Sequence, residues 1–147
     1  MIKIENFEKL NEEYCPLYIT SIEKGHGSFL TFTLTKGLQK DNFNATLWIY
    51  LTDWSLLKDG KEILNSNIEN SIEYTKIFRL INQNKIIKII KIGLSIIEIY
   101  FDYHIKLLLI GNDFYEEEDE MFIFYDFTNK QTISYSPKKC LYQEVLS

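Results

Sequence analysis

The chain has 147 residues, of which 46% are hydrophobic and 25% charged. That is too apolar for intrinsic disorder and about the length of one domain with a core of its own. A net charge of −5 disfavours a nucleic-acid footprint, and Cys15 and Cys140 form neither a disulfide framework nor a zinc motif.

Aromatic residues reach 15%, with Tyr and Phe at ten each, and favour pleated sheet over helix. The expectation is one globular domain over residues 1–147. The first segment, Met1 to Lys9, carries acids where an export signal needs an apolar core. The apolar stretch from Ile86 to Ile110 is broken by Lys88, Lys91, Glu98, Asp102, His104 and Lys106, which argues against a bilayer span. The place expected for the protein is the cytoplasm, with both thiols reduced.

Phe7, Leu10 and Tyr14 recur at helical spacing among acids, predicting a short helix that Pro16 ends. A strand follows over Leu17 to Ile22, then Gly25-His26-Gly27 as a hairpin turn. Phe29 to Thr35 alternates apolar residues with Thr, the period of a half-buried strand. Ala45 to Asp53 reads as a further strand, and Asp59-Gly60 turns the chain back into Lys61 to Leu64. The aromatic strands of Phe32 and Trp48 are both assigned to the core.

Polar residues 65–71 predict a loop. A helix is expected over Ser71 to Leu80, with Ser71 as N-cap and Ile72, Ile77 and Leu80 as the apolar face. From Lys85 the run Lys-Ile-Ile-Lys-Ile-Ile-Lys-Ile has a period of three, which neither helix nor strand owns. Its Ile content and Gly93 favour two strands. Ile96 to Phe101, Ile105 to Ile110, Met121 to Tyr125 and Thr132 to Tyr135 complete a meander with short links. The predicted fold is mainly β (α+β): a curved antiparallel sheet or half-barrel with one or two short helices packed on it. Leu47-Trp48-Ile49-Tyr50 also faintly echoes Met121-Phe122-Ile123-Phe124, as an internal duplication would.

Catalysis needs a nucleophile with a base, a paired acid and base, or a metal. His26 and His104 both fall in predicted turns, outside any zinc-helix motif, and no nucleotide or serine-hydrolase fingerprint is present. Nothing local marks Cys15 or Cys140 as activated. The reading is a protein that is not an enzyme and needs no cofactor and no metal, leaving a hydrolase as a remote class.

The run Asp113-Phe114-Tyr115-Glu116-Glu117-Glu118-Asp119-Glu120 places six carboxylates in eight positions. One reading is a solvated hairpin loop held open by mutual repulsion. The other is a docking surface for a basic partner, with Phe114 and Tyr115 as aromatic anchors. The spaced acids of a calcium loop are missing.

From Trp54 the residues run Trp-Ser-Leu-Leu-Lys-Asp-Gly-Lys-Glu-Ile-Leu-Asn-Ser. A polar gap, a helix ending at Leu80, an Asn/Lys turn, Ile-Lys-Ile, Phe101-Asp102 and Leu107 to Ile110 follow. Over residues 46–136 this pattern resembles immunity proteins of bacterial contact-dependent growth inhibition and related polymorphic toxin systems, with Tyr103 in place of the usual Gly. The resemblance implies a cytoplasmic protein that binds and neutralises the C-terminal domain of a cognate toxin, a basic one where acidic surface meets it. Neither nucleic acid nor membrane is then a partner. The alternative is a non-catalytic adaptor or ligand-binding β domain unrelated to toxins.

Overall fold

A computed structural model describes residues 1–37, 43–111 and 116–146. In chain order the elements are β1 (Ile2–Lys3), α1 (Phe7–Tyr14), β2 (Leu17–Lys24), β3 (Leu30–Thr35), β4 (Ala45–Ile49), β5 (Asp53–Lys58) and β6 (Lys61–Asn65). Next come α2 (Ser71–Ile81), β7 (Lys85–Gly93), β8 (Ile96–Phe101), β9 (Ile105–Ile110), β10 (Phe122–Asp126), β11 (Gln131–Ser136) and β12 (Cys140–Val145). The fold is mainly β, as the alternation of apolar residues implied. The described strands form one open antiparallel sheet in the order β1-β12-β11-β10-β4-β3-β2-β7-β8-β9-β5-β6.

Register shifts that add a residue to β2, β6 and β7 bend the strands and let so long a sheet fold over itself. The joint between its halves is narrow. β2 meets β7 through only Leu17↔Ile86 and Tyr18↔Lys85, continued by backbone bonds between Ile19 and residues Gln83 and Asn84. Side chains then hold the halves face to face. The rings of Phe32 on β3 and Phe101 on β8 lie 6.1 Å apart. Trp54 on β5 donates its indole N–H to the Ser28 carbonyl at 2.7 Å.

α1 fills the space between the halves. Asn6 caps it by accepting from the Lys9 N–H, and Leu10 and Tyr14 are buried. Phe7 meets Phe122 and Tyr135 edge-on, and Tyr14 meets Phe124. Asn11 replaces a neighbouring strand for β7: its side-chain amide donates to the Ile89 carbonyl and accepts from the Ile89 N–H, each at 2.8 Å.

Four expectations need correction. Asn70, not Ser71, caps α2, since its side chain accepts from the N–H groups of Ile72 and Glu73. The buried residues of α2 are Phe78 and Ile81, whereas Ile72 and Leu80 are exposed, because the helix turns its Phe78 and Ile81 side to the protein and shows solvent the other flank. Ala45 to Asp53 is not one strand: the chain turns at Tyr50 to Thr52, between β4 and β5. Trp48 is not in the core, because β4 alternates and sends Ala45, Leu47 and Ile49 inward and Thr46 and Trp48 outward. Phe32 is in the core, 1% exposed.

Candidate docking surface

The outward side of β3, β4 and β10 is set by period-two alternation. Leu30, Phe32 and Leu34 point into the core and leave Thr31, Thr33 and Thr35 outside, and Phe122 and Phe124 likewise leave Ile123 and Tyr125 outside. Register then lines Thr31, Trp48, Ile123, Ser134 and Tyr142 into one row, and Thr33, Thr46, Tyr125 and Thr132 into the next.

Across these rows the rings meet. Trp48 and Tyr50 have centroids 4.6 Å apart, Phe29 stacks on Tyr50 at 5.1 Å, and Tyr125 lies 6.3 Å from Trp48. Phe127 extends the group by stacking on Tyr125 at 5.8 Å. Phe29, Trp48, Tyr50 and Tyr125 are half-buried and Phe127 is 45% exposed. Cross-strand aromatic pairs stabilise a sheet by roughly 0.2–1 kcal/mol each. That explains how rings can stand on an open face without being part of the core.

The acidic run borders this platform. Asp113, Phe114 and Tyr115 lie outside the described residues. Glu116 to Asp119 form a turn closed in both directions: the Asp119 N–H donates to the Glu116 carbonyl at 3.0 Å, and the Glu116 N–H donates to Asp119 Oδ2 at 2.9 Å. The Lys138 N–H donates to the Glu117 carbonyl, and Lys138 Nζ lies 3.2 Å from Glu118. The Glu120 carbonyl accepts from the Leu51 N–H, and its Oε1 accepts from the Tyr142 hydroxyl at 2.8 Å. The side chains of Glu116, Glu117 and Glu118 are exposed, but this part of the run is tied to the sheet instead of being held open by repulsion.

These neighbours tune the phenols. Burial first, then Glu120, pushes Tyr142 up to about 12. Burial, Tyr50 and Glu120 likewise raise Tyr125.

The groups that could carry chemistry are dispersed. His26 is exposed in the β2–β3 turn and His104 in the β8–β9 turn. Burial pushes the Cys15 thiol up to about 11, which keeps it protonated and a poor nucleophile. Cys15 Sγ approaches Asn11 Oδ1, and Cys140 Sγ approaches the Pro137 carbonyl. Among the described residues no three His, Cys, Asp or Glu side chains are grouped to hold a metal ion, and no helix is long and apolar enough to cross a membrane.

Composition alone does not reveal the aromatic platform, because Trp48 reads as one more apolar residue of its strand. The signal was there in phase: Ala45, Leu47 and Ile49 occupy one parity, Trp48 the other. Compared with protein-family models, curated proteins and solved structures, the chain matches none.

Proposed function

We propose that the protein works by binding a basic protein domain on this outer face, and that the partner is a toxin domain it neutralises. One observation carries the reading: five clustered aromatic side chains on an open sheet face adjoin an ordered acidic turn. Aromatic rings desolvate well in an interface, and an acidic border steers a basic partner and fixes its register. Net charge −5 points the same way and disfavours nucleic acid. The free thiols of Cys15 and Cys140 support a cytoplasmic site of action. The resemblance over residues 46–136 supplies the toxin as the class of partner, and blocking a toxin by contact needs no catalytic group.

The test begins with the gene's neighbours: a secreted effector encoded beside this chain supplies the toxin domain, and the absence of one counts against the toxin as partner. Co-expression should rescue cells from that domain. The triple variant Glu116→Gln, Glu117→Gln, Glu118→Gln, which spares the turn-closing Asp119, should associate about tenfold more slowly at low salt and converge with wild type at high salt. Trp48→Ala or Tyr125→Ala should speed dissociation. No rescue, or unchanged rates for all of these variants, would sink the reading.

A further inference from the structure

On the far half of the sheet, the outer face carries a carboxylate, a ring and cations that satisfy one another. Glu98, 8% exposed, lies 2.6 Å from Lys106 Nζ and accepts from the Tyr100 hydroxyl. Lys88 and Lys106 sit over the Tyr100 ring, at 4.8 and 5.8 Å from its centroid. The aromatic platform has the same parts, but among the described residues no cation lies over Trp48, Tyr50 or Tyr125. Trp48 and Tyr50 project from alternate positions of one chain segment, and Tyr125 reaches them from β10.

Glu120 runs alongside Tyr50 and Leu51, since Leu51 donates to its carbonyl and Tyr50 donates to that of Met121. Its side chain lies on the outer face, bonded to Tyr142, which stands in the Trp48 row. The outward positions of β3, β4 and β10 carry no charge. Lys138 is taken by Glu118 and Lys139 lies over the Tyr142 ring, so among the described residues Glu120 makes no ion pair.

Resting on the docking reading above, we propose that this group receives one arginine side chain of the partner, its guanidinium against Trp48, Tyr50 and Tyr125 and its charge facing Glu120. A planar, weakly hydrated guanidinium can stack on rings and still direct N–H donors at a carboxylate, which a compact, strongly hydrated ammonium does less well. Burial is the main cause of the raised Tyr125 phenol, and Tyr50 and then Glu120 add to it, as a carboxylate charge within electrostatic reach of the rings would.

The probe is a blocked octapeptide of Gly and Ser with one central arginine, matched by lysine and citrulline versions. Trp48 emission is the readout, with Trp48→Phe as the blank, because Trp54 is buried. The arginine peptide should quench Trp48 saturably. The lysine peptide should bind about threefold more weakly or less, and the citrulline peptide should not saturate.

Glu120→Gln should weaken arginine binding about tenfold. It can still accept from Tyr142, and an unchanged thermal melt would show that its fold is intact. Glu73→Gln, on α2, should leave binding unchanged. Equal quenching by citrulline or lysine, or wild-type affinity in Glu120→Gln, would overturn the proposal. If the arginine peptide fails while the toxin domain still binds, the receptor falls and the docking reading stands. If the arginine peptide binds and the toxin domain does not, the receptor stands and the docking reading falls.

Discussion

Trp48 and Trp54 lie close in the chain and have opposite roles. Trp54 is 2% exposed, with its indole N–H bonded to Ser28, so Trp54→Ala should cost about 3–5 kcal/mol in urea melts, as should Phe32→Ala. Trp48 only pairs across an open face, and Trp48→Ala should cost about 1 kcal/mol or less. A loss as large as that of Trp54 would put Trp48 back in the core. Tyr142 gives a second residue-level test. Its phenol is raised in the fold to about 12 from an unfolded value near 10. The unfolded chain therefore releases this proton first, and stability falls as pH rises from about 10 to 12. Tyr142→Phe should reduce that alkaline slope by up to about 1.4 kcal/mol per pH unit. An unchanged slope would mean Tyr142 titrates as it does unfolded.

At the scale of elements, α1 is anchored by polar bonds at its middle and end. Asn11→Ala removes both bonds to Ile89 on β7 and should cost about 1–3 kcal/mol, with faster hydrogen exchange at the Ile89 amide. The C-terminal anchor is the fully buried Asp126, which accepts from the Tyr14 hydroxyl at 2.7 Å and from the backbone and side chain of Asn129. Burial alone would raise its carboxyl, but the donors, Asn129 foremost, bring it below the usual carboxylate value. A depressed value stabilises the fold above the unfolded pKa and is lost as pH falls through the folded one. Acid melts from pH 5 downward should show this, and Asp126→Asn should flatten them.

These particulars show what could be read in advance. The alternation of β3, the Asp59-Gly60 turn and the reach of α1 were legible because each depends on neighbouring residues. The period of three after Lys85 looked anomalous because β7 carries register shifts between Ile86 and Lys88 and between Lys91 and Gly93, each adding a residue to the alternation. β12 is not legible in the sequence, since adjacent Leu141 and Tyr142 break the alternation and Gln143 and Glu144 follow. The ties that hold Glu116 to Glu120 could not be foreseen either, because Lys138, Leu51 and Tyr142, which make them, come from other parts of the chain.

At the scale of the whole molecule, strand order was the least readable property. β4 pairs with β10 and β2 with β7, contacts that no local pattern encodes. The echo between the segments at Leu47 and Met121 is not kept in the fold, because it matches outward Trp48 with inward Phe122 and inward Ile49 with outward Ile123. Pairings between such distant segments require large loops to close early, so refolding should take milliseconds to seconds. Stopped-flow refolding from urea checks this, and a microsecond phase accounting for the full amplitude would contradict it.

The narrow joint between β2 and β7 has a mechanical meaning. β3 with β4, β4 with β10 and β10 with β11 share five residue pairs each, whereas these two strands share two, and beyond them apolar side chains with the Trp54–Ser28 hydrogen bond clamp the halves together. Apolar contact is non-directional, whereas a hydrogen-bond ladder resists rotation. The molecule should therefore be stiff along its strands and compliant in one direction, the angle between its two leaves. With handles attached on β3 and β8, an optical trap should record a first, low-force rip as the leaves part, before either unravels.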